Sequence, residues 1–544
     1  MCGFFLKRSH KVHKIAYKRG NLHFANESHQ RIRIKGNTRA ESSGLAGALV
    51  AEALFLESRP RSEITNLFTG GIIVSFAEQL ASINSTINGI VWGPLMLILI
   101  VGTGIYLSFR VGFIQFRRFG YAMKNTLGKC FQKHEVADPG AVSPLQAVTT
   151  ALAATVGTGN IVGVTGAIAA GGPGAVFWME VAALFGMVTK YSEVAMSIHF
   201  RERNSKGDWV GGPMYYIAKG LGNNWRWLGA IFAVLGAICA FGIGNMTQMH
   251  SIATSISGAA SVISSGANIM VIRWGAGISM CVITALVLLG GIKRIGEVTE
   301  RLVPIMAVIY IVSSLIVIFS HIGNIGPVLK AIFVGAFNPS AVVGGAVGIT
   351  ITKAMTKGVA RGVFSNEAGL GSAPIAHAAA DTKGPVQQGL FGIFEVFADT
   401  TVICTMTALV ILMSGTPIDF SKGGAGVELT NAAFASTFGS GASVVVAIGI
   451  TLFAGSTILG WGLYGTRCAE FLFGSKVIKP YQTIFCLMLL VGATMELQLA
   501  WDIADTLNAL MAIPNLIALL GLSPLIIKLT KEYFRKVDAN TLRA

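Results

Sequence analysis

Apolar runs long enough to cross a bilayer recur along almost the whole chain, and the loops between them are short. A helical span needs about 20 consecutive, mostly apolar residues. Eleven runs approach or exceed that length: 87–108, 145–170, 173–199, 227–256, 271–291, 302–320, 340–357, 387–413, 442–466, 480–497 and 502–528. Only 12% of the residues are charged, against roughly 25% in soluble globular proteins. A surface so poor in charge faces lipid. The chain is therefore expected to be an all-α polytopic membrane protein with about 11 transmembrane helices, and a soluble multidomain enzyme is excluded.

The net charge of +16 is a matter of topology and does not signal a nucleic-acid partner. Twelve of the 42 Lys and Arg residues lie in residues 1–70, and most others fall in alternate loops. One set of loops holds Arg110, Arg117, Arg118, Arg201, Arg203, Lys293, Arg294, Lys353, Lys357, Arg361, Arg467, Lys476, Lys528 and Lys531, among others; the other holds only Arg273, Lys330 and Lys422. Basic loops face the cytoplasm, which places residues 531–544 inside as a tail and the start of 87–108 outside. Residues 1–70 are basic and aperiodic, and they read as a disordered extension or the product of a misplaced start codon. The seven cysteines are scattered singly, as expected of packing residues and not of a zinc site or disulfide framework.

Two of the runs are poor helices at mid-membrane depth. In the second, Ala153-Ala154-Thr155-Val156-Gly157-Thr158-Gly159-Asn160 sets two glycines around a threonine. A break there would free N–H groups for a carboxylate and carbonyls for a bare cation; close packing through small residues is the competing reading. Five spans later, 340–357 carries Gly344, Gly345 and Gly348, then Thr350 and Thr352. Discontinuous helices at matching positions of two five-helix halves point to a transporter. Further polar groups share the membrane: Asn245 with Gln248, Glu395 with Asp399, and Ser456-Thr457 one turn before Trp461. Lys190 with Glu193, and Arg467 with Glu470, read as local ion pairs near helix ends. No phosphate loop, metal cluster or nucleophile–base constellation supports an enzyme or an organic cofactor.

Five stretches resemble the alanine or glycine:cation symporter family: Ala147–Gly166, Gly211–Tyr216 (GGPMYY), Gly242–Gln248 (GIGNMTQ), Gly358–Pro374 (GVARGVFSNEAGLGSAP) and Ser456–Trp461 (STILGW). The resemblance covers about residues 80–530. It implies a LeuT-type 5+5 inverted repeat, with repeat one at about 145–320, repeat two at about 340–528, and 87–108 as an extra N-terminal helix. It implies Na⁺-coupled import of a small neutral amino acid, alanine or glycine, across a prokaryotic plasma membrane (the inner membrane in a Gram-negative cell), with a monomer sufficient.

Carried onto this sequence, the resemblance gives Thr158, Gly159, Asn160, Asn245, Gln248, Thr457 and Trp461 to the substrate. It gives Na⁺ to the Ala153 and Val156 carbonyls with the Ser456 and Thr457 hydroxyls. Thr350, Thr352 and Asp399 match a second cation site only approximately. Trp461 would cap the pocket, and Glu367 would gate the inner side by pairing with a basic loop residue. The rivals are an H⁺-coupled symporter in which Glu395 or Asp399 titrates, and a channel or sensor that binds an amino acid without coupling.

Overall fold

The computed structural model describes the backbone of residues 3–8, 11–18, 21–25 and 31–35, and residues 78–129, 138, 140–264, 266–344, 349–420, 426–495 and 498–539. Gly345 and Gly348, part of the expected second break, lie outside the described residues, as does most of the 1–70 extension. The chain divides into two units, Met1–Glu78 and Gln79–Ala544. In the first, four strands, β1 (Gly3–Arg8), β2 (Lys11–Lys18), β3 (Asn21–Ala25) and β4 (Arg31–Lys35), pair in sequence order as an antiparallel meander.

The second unit is helical. Among the described residues, eight helices are long and apolar enough to cross a membrane, or nine if one bent pair counts as a single span. They include α1 (Pro94–Val111), the bent pair α2 (Pro144–Thr155) and α3 (Val164–Gly171), and the stretch containing α5 (Arg226–Phe241) and α6 (Thr247–Ile263). After these come α7 (Ile269–Leu288) and α8 (Gly291–Ser320). The 27-residue α4 (Gly174–Phe200) falls short on apolarity because it carries Glu180, Lys190 and Glu193. The second half runs through α9 (Ile351–Asn366), α10 (Pro374–His377), α11 (Pro385–Val396) and α12 (Thr405–Met413). It ends with α13 (Ala442–Phe473), α14 (Ile478–Thr494), α15 (Gln498–Gly521) and α16 (Ser523–Asp538).

The first break falls where the glycines place it. A capping box at Ser143 and Gln146 starts α2. The helix stops at Val156, and after Gly157 and Thr158 a wider π-type turn over Gly159–Gly163 leads into α3, with a 49° bend across the break. The second break does not fall where expected. Residues 340–357 are not one span: α9 starts at Ile351, capped by Thr350, and runs on to Asn366. The chain then leaves the helix at Glu367 (φ 57°), Gly369 (φ 95°) and Gly371 (φ 81°), all three buried, before α10. Left-handed backbone favours glycine, so Gly369 and Gly371 let the chain turn out of this helix. Lys353, Lys357 and Arg361, expected in a cytoplasmic loop, lie on α9.

Candidate functional site

The first break is a seam between α2, α6 and α13. A Cβ on Gly157 would lie 2.3 Å from Thr457 Oγ1, and one on Gly460 would lie 2.5 Å from Ala154 Cβ. Backbones come this close only through glycine. Asn160 organises the turn: its Oδ1 accepts from Gly157 N–H (2.8 Å), and its Nδ2 donates to Asp399 Oδ1 (2.7 Å). Thr158 N–H reaches Gln248 Oε1 at a long 3.4 Å. Thr158 Oγ1 is buried without a hydrogen-bond partner. Gln248 is anchored through Nε2 to the Ile243 carbonyl (2.9 Å).

On α13, the Ser456 hydroxyl donates to Phe453 O (2.8 Å), and the Thr457 hydroxyl donates to the same carbonyl (3.0 Å). With the protons spent on backbone, the lone pairs of both oxygens are available to a cation. Trp461, one turn on, is 1% exposed and packs against the backbone at Gly244, where a Cβ would lie 2.1 Å from the Trp461 Cβ.

Several sequence expectations are corrected. Asn245 donates through Nδ2 to the Phe485 carbonyl on α14 (2.6 Å), and its Oδ1 is buried without a hydrogen-bond partner. Thr350 and Thr352 are exposed at the start of α9, while Asp399 accepts from Ser365 Oγ near its end (2.9 Å). At ~1.5 Å of rise per residue the two threonines lie about 20 Å from that level, so they form no site with Asp399. Asp399 is fully buried among Asn160, Ser365 and Thr400. Glu367 does not pair with a basic loop residue: it accepts from Trp461 Nε1 (2.8 Å) and from the Ser372 hydroxyl.

Lys190 and Glu193 do not pair with each other. Lys190 Nζ meets Glu395 Oε1 (3.0 Å) and donates to the Asn366 carbonyl (2.7 Å), with all exposure lost at both side chains of the ion pair. Glu193 Oε1 accepts from Gly369 N–H (3.0 Å), Gly371 N–H (3.2 Å) and Asn515 Nδ2 (2.5 Å). Asn515 is itself held by the Tyr216 hydroxyl. The Arg467–Glu470 pair does form, at 2.6 Å, near the C-terminal end of α13. His377 and Gln388 complete the cluster at Glu395.

Sequence reading missed Lys190, Glu193, His377 and Asn515 as partners of the second break. The available signal was the acid and lysine inside an apolar run, where an ionisable group rarely lacks a partner.

Two helices broken in the interior, with underpaired polar groups at one of them, are the kind of architecture in which helical membrane carriers build their sites. The crystal structure of MhsT in complex with L-phenylalanine overlays with a TM-score of 0.52 at 12% identity, covering 72% of this chain and 99% of its own. That likeness is one of fold, the LeuT type. The chain belongs to the sodium:alanine symporter family, whose model matches residues 77–543. It is 46% identical to the sodium/alanine symporter AgcS of Methanococcus maripaludis, over 85% of this chain and 99% of AgcS. It is also 45% identical to an uncharacterized transporter of Haemophilus influenzae, over 85% and 98%. A relative in Bacillus subtilis named as a probable sodium/glutamine symporter, GlnT, is 38% identical over 83% and 90%.

Proposed function

We propose that this chain imports a small neutral amino acid, alanine or glycine, together with Na⁺ by alternating access. The observation that carries the reading is the first break: a neutral, buried turn whose Thr158 N–H has only a long contact and whose Thr158 Oγ1 has none. The N–H groups of Thr158 and Gly159 receive the substrate carboxylate, displacing the Gln248 contact, and Asn160 orients the turn. Carbonyls of Ala153 and Val156 with the Ser456 and Thr457 oxygens take Na⁺. Each ligand holds the turn in the shape the other needs, so each raises the other's affinity by the same factor. Inward movement of one charge adds about 2.3 kcal/mol per 100 mV of membrane potential. Trp461 closes a small pocket and excludes long side chains.

The same reading takes eleven spans, with α1 outside two five-helix repeats, a cytoplasmic C-terminus, a plasma-membrane location, and residues 1–70 as an extension that transport does not need. It places the second break at 367–373, matching the first. The experiment is uptake of labelled alanine and glycine into proteoliposomes. Equal uptake when choline replaces Na⁺ at fixed pH would remove the sodium claim. Accumulation against a gradient separates symport from a channel or sensor.

One observation favours an H⁺-coupled variant as the second reading: the described hydrogen-bond partners of buried Asp399 are neutral side chains, Asn160, Ser365 and Thr400. Uptake that rises with an inward proton gradient in the absence of Na⁺ would select it.

A further inference from the structure

The second break is held at both ends by one turn of α4. Unwinding at 367–371 frees the carbonyl end of α9 and exposes new N–H groups. Lys190 Nζ sits on the Asn366 carbonyl (2.7 Å), and Glu193 Oε1 takes the Gly369 and Gly371 N–H groups (3.0 and 3.2 Å). A cation at a helix C-terminus and an anion on free N–H groups are the charges such ends favour. Residues 190 and 193 are three apart, so both lie on one face of α4. Between these two contacts stands Glu367, whose carboxylate accepts from Trp461 Nε1 (2.8 Å). The ionisable groups here, Lys190, Glu193, Glu367, Glu395 and the His377 beside Glu395, are at most 3% exposed.

We propose that Lys190 and Glu193 are positioning residues: they act as a tethered ammonium and carboxylate that fix the second break and, through Glu367, set Trp461 over the substrate pocket and so its size limit. The second break needs no mobile ligand, because α4 supplies both charges. The simpler alternative is that Lys190 only neutralises Glu395, an ion pair that matters for stability alone. The two differ in what is lost when the pair is removed whole. Removing one member of a buried pair strands its partner's charge, whereas removing both takes the ion pair away and leaves only the charges of Glu193 and Glu367.

The proposal rests on Trp461 lining the pocket, so the test reads size selectivity as well as rate. Full-length chain in proteoliposomes is compared as wild type, Glu395→Gln, Lys190→Met/Glu395→Gln and Glu193→Gln, with leucine and glutamine as competitors of alanine uptake and thermal stability measured in detergent. The double variant and Glu193→Gln are expected to raise the alanine half-saturation about tenfold and to let the larger amino acids compete. Glu395→Gln alone, with Lys190 still on Asn366, is expected to lower thermal stability but to stay within about threefold of wild type in half-saturation and selectivity.

The proposal is overturned if the double variant keeps wild-type half-saturation and selectivity, or if Glu395→Gln changes selectivity as much as the double variant does. Should the double variant not fold, Glu193→Gln carries the test, since it preserves size and one acceptor oxygen: wild-type selectivity there overturns the proposal. A wild-type chain that ignores Na⁺ or alanine would instead bring down the transport reading, a different result in a different sample.

Discussion

At the first break the chain leaves its polar backbone underpaired; at the second it saturates the same kind of backbone with its own charges. Thr158 N–H has a neutral acceptor at 3.4 Å, whereas Gly369 and Gly371 N–H groups share a carboxylate at 3.0 and 3.2 Å. Both turns are buried, so both must satisfy their donors. The difference is who supplies the partner. A carboxylate already tied to α4 closes the second site to a ligand, and a weak amide contact keeps the first open to one. Of two similar helix breaks, then, the one with fewer charges around it is the better candidate for binding a charged substrate.

That contrast can be broken most severely at Gly157. A methyl there would lie 2.3 Å from Thr457 Oγ1. Gly157→Ala is expected to cut alanine uptake more than about 100-fold while the chain still reaches the membrane, since overpacking costs about 1–3 kcal/mol and here also displaces the ligand groups. Uptake near wild type would mean the first break does not handle substrate.

Asn160→Ala comes next. It removes the acceptor for Gly157 N–H and a donor to Asp399, and a loss of about 2 kcal/mol predicts roughly 30-fold weaker uptake. Thr457→Ala sharpens the comparison more gently. It should raise the Na⁺ half-saturation about fivefold, with the alanine half-saturation at low Na⁺ rising in step by linkage; an unchanged Na⁺ dependence would sink the ligand role. The smallest effect is expected at Thr352, exposed on α9. Thr352→Ala should leave Na⁺ dependence within about twofold, and a larger change would revive the second cation site that the structure separates from Asp399.

The first break was legible because its determinants are local. Two glycines around Thr158 weaken a helix wherever it packs, and the hydroxyl pair at 456–457 one turn before Trp461 follows from helical spacing. The second break was misplaced because glycine content was read without conformation. Gly344 is left-handed too (φ 86°) but exposed, whereas the buried left-handed turn sits at Glu367, Gly369 and Gly371. The motif around it, GVFSNEAGLGSAP, stands out in the sequence but reads there as an inner gate at Glu367. Spacing puts Asn245 and Gln248 on one helix face but does not say which neighbour that face meets; Asn245 Nδ2 meets the Phe485 carbonyl.

Composition, span length and charge alternation determined by themselves that the chain is a helical membrane protein, because lipid demands apolar length and satisfied backbone regardless of fold. The motifs determined the family. Which charges pair across the interior belonged to the tertiary structure. Lys190 and Glu193 are one turn apart and look like partners, yet one reaches Glu395 and Asn366 and the other Gly369, Gly371 and Asn515. In a buried, low-dielectric interior a charge is placed by whichever partners best offset its desolvation. Those partners come from residues some 176 to 322 positions away along the chain, a proximity that no local spacing encodes.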